Sequence, residues 1–182
     1  MLPIGPLMIE HRLMERMIVL LKKEAEWIER EGALHPEFIE AALDFTRTYA
    51  DVCHHGKEEN ILLRELDRKP VSAEHRRIME EILQEHRESR AAVADLEKAK
   101  ISYLKGDREA LQEIVRTVRF LVNLYPCHIE KEDHHFFLPC MEYFSQEEKD
   151  LMLRQEQEFD RDLVHRLYKE KVMREEARFG KP

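Results

Sequence analysis

Four histidine positions and two carboxylates recur at helical spacing in this chain: His11; His54 or His55 with Glu58 or Glu59; His86; and His128 with Glu132. Residues i and i+4 share a helix face, with Cβ atoms about 6 Å apart. An H-x-x-x-E pair can therefore give an imidazole to one metal ion and a carboxylate to the same or a second ion. Two carboxylates lying between two ions can bridge them, and inward Glu and His on facing helices are how di-iron sites are built in bundles. Imidazole with carboxylate, and no thiolate, suits iron or manganese better than a structural zinc. The expected cofactor is a pair of non-haem, carboxylate-bridged iron ions, with manganese or zinc as the alternatives.

These residues need helices to bring them together, and composition favours helix. Of 182 residues, 43% are hydrophobic and 37% charged, with only 5 Gly. Breakers divide the chain into five helical segments. The first starts after Pro6 and ends near Gly32; the second starts at Pro36 and stops before Pro70. The third follows Ser72, a plausible N-cap, and ends at Gly106. The fourth runs from after Asp107 to Pro139, with a kink expected at Pro126. The fifth starts at Ser145, where Ser145 and Glu148 match a capping box. The expected fold is all-α: an antiparallel up-down-up-down four-helix bundle over 6–140, with an additional C-terminal helix over 145–175, in one domain spanning 1–182.

In such a bundle, residues equally far from a connecting turn sit at one height. With turns centred near residues 34, 70 and 106, reflecting His11 through them in succession lands near residues 57, 83 and 129. Each landing point lies beside a histidine of the set. His86 shares a stripe with Ile82, Ser89 and Val93, and His128 and Glu132 share one with Leu121 and Tyr125, so they point inward. An unpaired buried glutamate costs several kcal/mol. Coordination offsets that cost, and four histidines at one level with two carboxylates make the case that one histidine alone would not.

The second helix offers two registers. Its wheel, with Phe38, Ala41, Phe45, Val52, Leu63 and Leu66 as the buried side, brings His55 and Glu59 inward. An internal repeat favours His54 and Glu58 instead. Cys53-His54-x-x-Lys57-Glu58 recurs as Cys127-His128-x-x-Lys131-Glu132, and Glu10-His11-Arg12 as Glu85-His86-Arg87. The wheel gives His11, His55, Glu59, His86, His128 and Glu132 as ligands, with His54 and Glu58 as the alternative. His135, seven residues after His128, is a candidate further ligand, or a partner for His75. Lys57, Lys131, His35, His134, His165 and the charged run over 166–178 read as solvated. Cys53, Cys127 and Cys140 read as free thiols, with Cys53 and Cys127 able to form a redox pair only if they meet.

The motif set H…HxxxE…H…HxxxE over residues 1–140 resembles the hemerythrin-like, HHE cation-binding domain family. The resemblance implies a four-helix bundle with a di-iron centre that binds dioxygen, senses oxygen or iron, or handles nitric oxide or peroxide. Oxygen-carrying hemerythrins add a second histidine on the third helix, four residues from the first. Here those positions are Ile82 and Arg90, which argues for peroxide turnover over simple oxygen carriage. The expected function is a di-iron protein binding or reacting with dioxygen, nitric oxide or peroxide, as a sensor or detoxifier with possible catalase-like or other oxidoreductase activity. The alternative is an iron store or sensor, or a metal-stabilised interaction module, without catalysis. A net charge of -8 argues against nucleic acid as a partner. No apolar run suits a membrane span, and the start lacks a signal-peptide layout, so the expected location is cytoplasmic. A protein partner or a homodimer would meet the C-terminal helix.

Overall fold

The computed structural model describes the backbone of residues 1–179 and the side chains of 1–163 and 167. Among the described residues the chain is helix and turn, with no strand. It is a helical bundle.

Helix α1 spans Ile4–Glu31. It begins before Pro6, which the first turn tolerates because its N–H would have no partner there. Gly32 ends it at φ 63°, where its N–H reaches the Ile28 carbonyl, a left-handed stop that glycine adopts without a Cβ penalty. Helix α2 runs over 36–67 and is built from Pro36–Asp44, Phe45–His55, Glu58–Leu63 and Arg64–Asp67. Helix α3, Ala73–Leu104, is capped by Ser72, whose hydroxyl oxygen accepts from the His75 N–H at 3.1 Å. Helix α4 runs over 110–140 as Ala110–Glu130, Lys131–Phe136 and Phe137–Cys140. Its α geometry carries through Pro126 and widens only at Lys131. Helix α5, Gln146–Phe179, opens with the expected capping box: the Ser145 and Glu148 N–H groups each donate to the other's side chain. The side chains of His165 and of the run over 166–178, Leu167 apart, lie outside the described residues.

The middle of α2 and the end of α4 are π-helical, closed by i→i+5 bonds. Such turns are rare and cluster at functional sites. Their wider turn advances each residue by less than the roughly 100° of an α-helix. The buried side of α2 differs accordingly from the predicted wheel. Ala41 and Val52 are exposed, while Ile39, Ala42, Leu43, Thr46 and Ala50 are buried.

Two apolar clusters fill the interior. One gathers Met14, Ile18, Leu21, Val93, Leu121 and Tyr125; the other Leu7, Leu62, Ile82, Phe136, Phe137 and Met152. The clusters part at one level, between Leu7 and Met14 on α1 and between Ile82 and Val93 on α3. The histidines occupy that level. Helix α5 lies against α2, where a Cβ on Gly56 would come 2.8 Å from the Phe159 ring, so only glycine permits this approach unchanged.

Candidate metal centre

His11 on α1, His54, His55 and Glu58 on α2, His86 on α3, and His128 and Glu132 on α4 are all buried, none more than 2% exposed. Their donor atoms form two groups that share Glu58. One is His11, His54, Glu58 and Glu132; the other is His55, Glu58, His86 and His128. Within each group the atoms lie within 4.8 Å of one another. Glu58 places Oε1 3.3 Å from His54 Nε2 and Oε2 3.3 Å from His86 Nε2. Glu132 places Oε2 3.2 Å from His11 Nε2 and Oε1 3.4 Å from His128 Nε2. Each carboxylate thus offers one oxygen to each side.

These contacts are near but not aligned as hydrogen bonds. All four oxygens of Glu58 and Glu132, and Nε2 of His55, His86 and His128, are buried without a hydrogen-bond partner among the described residues. His11 Nε2 and His54 Nε2 face each other at 2.9 Å. A buried polar atom left unpaired costs about 1–3 kcal/mol, and native proteins keep only a few. Seven in one layer, all imidazole nitrogen or carboxylate oxygen, are what a bound cation satisfies. The residues fit a metal site.

The opposite nitrogen of every one of these histidines is held. Nδ1 of His11 meets Asp133 at 2.8 Å, that of His54 meets Glu10 at 2.9 Å, that of His86 meets Glu59 at 2.8 Å and that of His128 meets Glu85 at 2.8 Å. His55 Nδ1 lies 3.4 Å from Asp51. A carboxylate on Nδ1 holds the proton there, aims the Nε2 lone pair inward and raises its basicity. Basic residues anchor these carboxylates in turn: Arg12 on Asp133, Arg90 on Asp51 and Glu59, Lys57 on Glu10, and Lys131 on Glu85.

Charge follows the same geometry. Burial alone would lower the His54 and His86 pKa values. Glu58, with Glu10 for His54 and Glu59 for His86, outweighs it and lifts them to about 10 and about 9. Burial and the neighbouring His86 hold His55 well below its ordinary value. Glu58 is held well below the usual carboxylate range, because His54 and His86 overcome its burial.

The structure brings together His11, His55, His86, His128 and Glu132, as well as both His54 and Glu58 of the alternative register. Glu59 lies outside both groups, bonded to His86 Nδ1 and Arg90. The two registers are therefore not exclusive for histidine, and for the carboxylate the repeat marks the inward residue. His135 is exposed and lies 3.6 Å from Glu130, away from both groups. His75 bonds the Tyr143 hydroxyl rather than His135. Cys53, Cys127 and Cys140 are all free thiols. Lys57, expected in solvent, is fully buried.

Glu10, Glu85, Asp133 and Asp51 were not among the expected ligands, and Glu59 was expected as one, yet all five meet a histidine at its Nδ1. Four of them were marked by the repeat. Each histidine of a Glu-His pair is preceded by the carboxylate that holds the next helix's histidine, and each inward glutamate is followed by one that holds a facing helix's histidine. Comparison with curated proteins and with solved structures gave no match. The family model for the hemerythrin HHE cation-binding domain matches residues 2–137. With three quarters of its length matched, and with the histidine–carboxylate layer inside the match, the chain belongs to the hemerythrin HHE cation-binding domain family.

Proposed function

We propose that this chain is a non-haem di-iron protein that binds or reacts with dioxygen, nitric oxide or peroxide, as an oxygen or redox sensor or a detoxifier. The observation that carries the reading is the layer of seven unpartnered donor atoms, with each histidine's other nitrogen held by a carboxylate. His11 and His54 would hold one ion and His55, His86 and His128 the other, with Glu58 and Glu132 each offering an oxygen to both sides. Five imidazoles and two carboxylates favour iron, ahead of manganese or zinc. Bound iron supplies a redox change and an exchangeable coordination position for a small ligand. His55 supplies the imidazole that a second α3 histidine would otherwise give.

The layer is buried, which suits a small ligand. Phe137 stacks on His11 with ring centres 5.7 Å apart, and Tyr125 lies flat against His55 at 6.5 Å. A pocket of about 270 Å³ on the α2–α3 seam is lined by Asp51, Ser89 and Arg90. These residues contact His55, Tyr125 and Glu59.

We read the bundle as four antiparallel helices, up-down-up-down, with α5 outside it and the whole as one domain. Paired contacts running in opposite chain directions support this. Arg12 meets Asp133 while Arg119 meets Glu29; Glu59 meets His86 while Arg47 meets Glu97. Among the described residues no helix is long and apolar enough to cross a membrane. We place the protein in the cytoplasm, with a protein partner or second copy meeting α5.

The test is anaerobic loading with ferrous iron, a metal count, and spectra on adding nitric oxide, peroxide or air. Two irons per chain and a new near-ultraviolet to visible band are expected. Two irons with no spectral change and no peroxide consumption would move the weight to an iron store or interaction module. No iron uptake would overturn the reading altogether.

A further inference from the structure

We propose that Asp160 on α5 is a positioning residue for the first ion's ligand His54, acting through Lys57 and Glu10. The inference rests on the two-ion reading and adds to it a control from outside the matched family region.

The two halves of the bundle repeat one relay. In the second half, His128 Nδ1 bonds Glu85 at 2.8 Å, Lys131 bonds Glu85 at 2.5 Å, and Lys131 also meets Glu81 at 3.2 Å. Glu81 stands one turn before Glu85 on the same helix. In the first half, His54 Nδ1 bonds Glu10 at 2.9 Å, and Lys57 bonds Glu10. The position one turn before Glu10 is Pro6, which has no carboxylate. Asp160 fills the role instead, with Oδ1 2.8 Å and Oδ2 3.1 Å from Lys57 Nζ. Asp160 also accepts from the Cys53 thiol at 3.4 Å.

The substitution changes who controls the relay. Lys131 keeps 21% side-chain exposure and both its partners lie on α3. Lys57 is 0% exposed, and its ammonium is shared between α1 and α5. A buried ammonium with a single carboxylate partner draws that carboxylate's charge to itself. Asp160 shares the ammonium, so Glu10 keeps charge for His54 Nδ1 and the imidazole stays basic toward its ion. Helix α5 therefore reaches one ion of the two. The matched region ends at residue 137, so this control is an addition of the C-terminal helix.

The experiment is anaerobic ferrous-iron titration of the full chain, resolving two binding steps, with ¹⁵N-imidazole NMR of the iron-free protein and thermal melting alongside. Asp160→Asn should weaken one step by about two- to tenfold, less than the 10–100-fold that follows loss of a group bonded directly to a ligand, because Asp160 acts through Lys57 and Glu10. It should leave the other step within twofold and shift the His54 Nδ1 resonance. Asp160→Glu should restore both, and Glu81→Gln should weaken the opposite step. Asp160→Asn binding both ions like wild type would overturn the proposal while leaving the two-ion reading intact. Equal weakening of both steps with a lowered Tm would overturn it too, as plain loss of packing. Wild-type chain binding fewer than two ions would overturn the two-ion reading itself, and the proposal with it.

Discussion

Glu58 and Glu59 are neighbours with opposite duties. Glu58 turns both oxygens into the layer, toward His54 and His86, and Glu59 turns outward to hold His86 by its far nitrogen. Glu58→Ala should therefore remove at least one iron per chain, read by elemental analysis. Glu59→Ala should leave both ions countable at high iron and weaken the second about 10–100-fold, read by titration. Equal losses in the two variants would sink this division of labour. The repeat already paired Glu58 with Glu132, and by the same offset Glu59 with Asp133. The wheel misled because it treated Val52, Phe38 and Phe45 as markers of the core. Val52 is exposed and the two rings sit on the flank. Lys57 was misread for a related reason. A lone lysine is most often solvated, and its two carboxylate partners lie 47 and 103 residues away.

Helix α2 carries the element-scale lesson. Two adjacent histidines cannot both face one point from an ideal α-helix, which turns about 100° between them. The π turns over Phe45–His55 and Glu58–Leu63 reduce that rotation, and both imidazoles enter the layer. Gly56, between the two π segments, is also where Phe159 of α5 makes its closest approach. Gly56→Ala should force the ring aside at a cost of about 1–3 kcal/mol, against about 1 kcal/mol that alanine gains over glycine in helical backbone. The net loss of up to about 2 kcal/mol lowers Tm by a few degrees, given roughly 2–4 °C per kcal/mol at this chain length. Pairing it with Phe159→Leu should recover part of the loss in a melting experiment. If Gly56→Ala melts like wild type, the contact is not tight.

At the scale of the whole molecule, a polar layer is held between two apolar clusters, and the polar layer is costly when empty. Removing metal with a chelator should lower Tm, and adding ferrous iron should restore it in proportion to the logarithm of free iron. Glu156, buried on α5 with neither oxygen partnered, adds a pH dependence. Burial raises its pKa to about 8 against the pull of Lys57, with Glu10, Asp160 and Glu58 adding to the rise. Its folded pKa lies above the ordinary 4.5, so the folded chain holds a proton that the unfolded chain releases. Its contribution is therefore intact below about pH 4.5 and is lost as pH rises through about 8. In metal-free protein, Glu156→Gln should raise Tm more at pH 8 than at pH 5; an equal change at both would refute the assignment. The sequence alone determined the all-helical class, most of the helix ends and the residue types of the buried layer, although α1 begins before Pro6 rather than after it. Caps, breakers and 3–4 spacing are local, and the repeat wrote the same ligand pattern twice. Tertiary structure decided between the wheel's Glu59 and the repeat's Glu58, and it alone showed that His54 and His55 both turn inward and that α5 supplies Asp160. Those choices depend on a wide helical turn and on contacts between residues far apart in the chain, which no local pattern encodes.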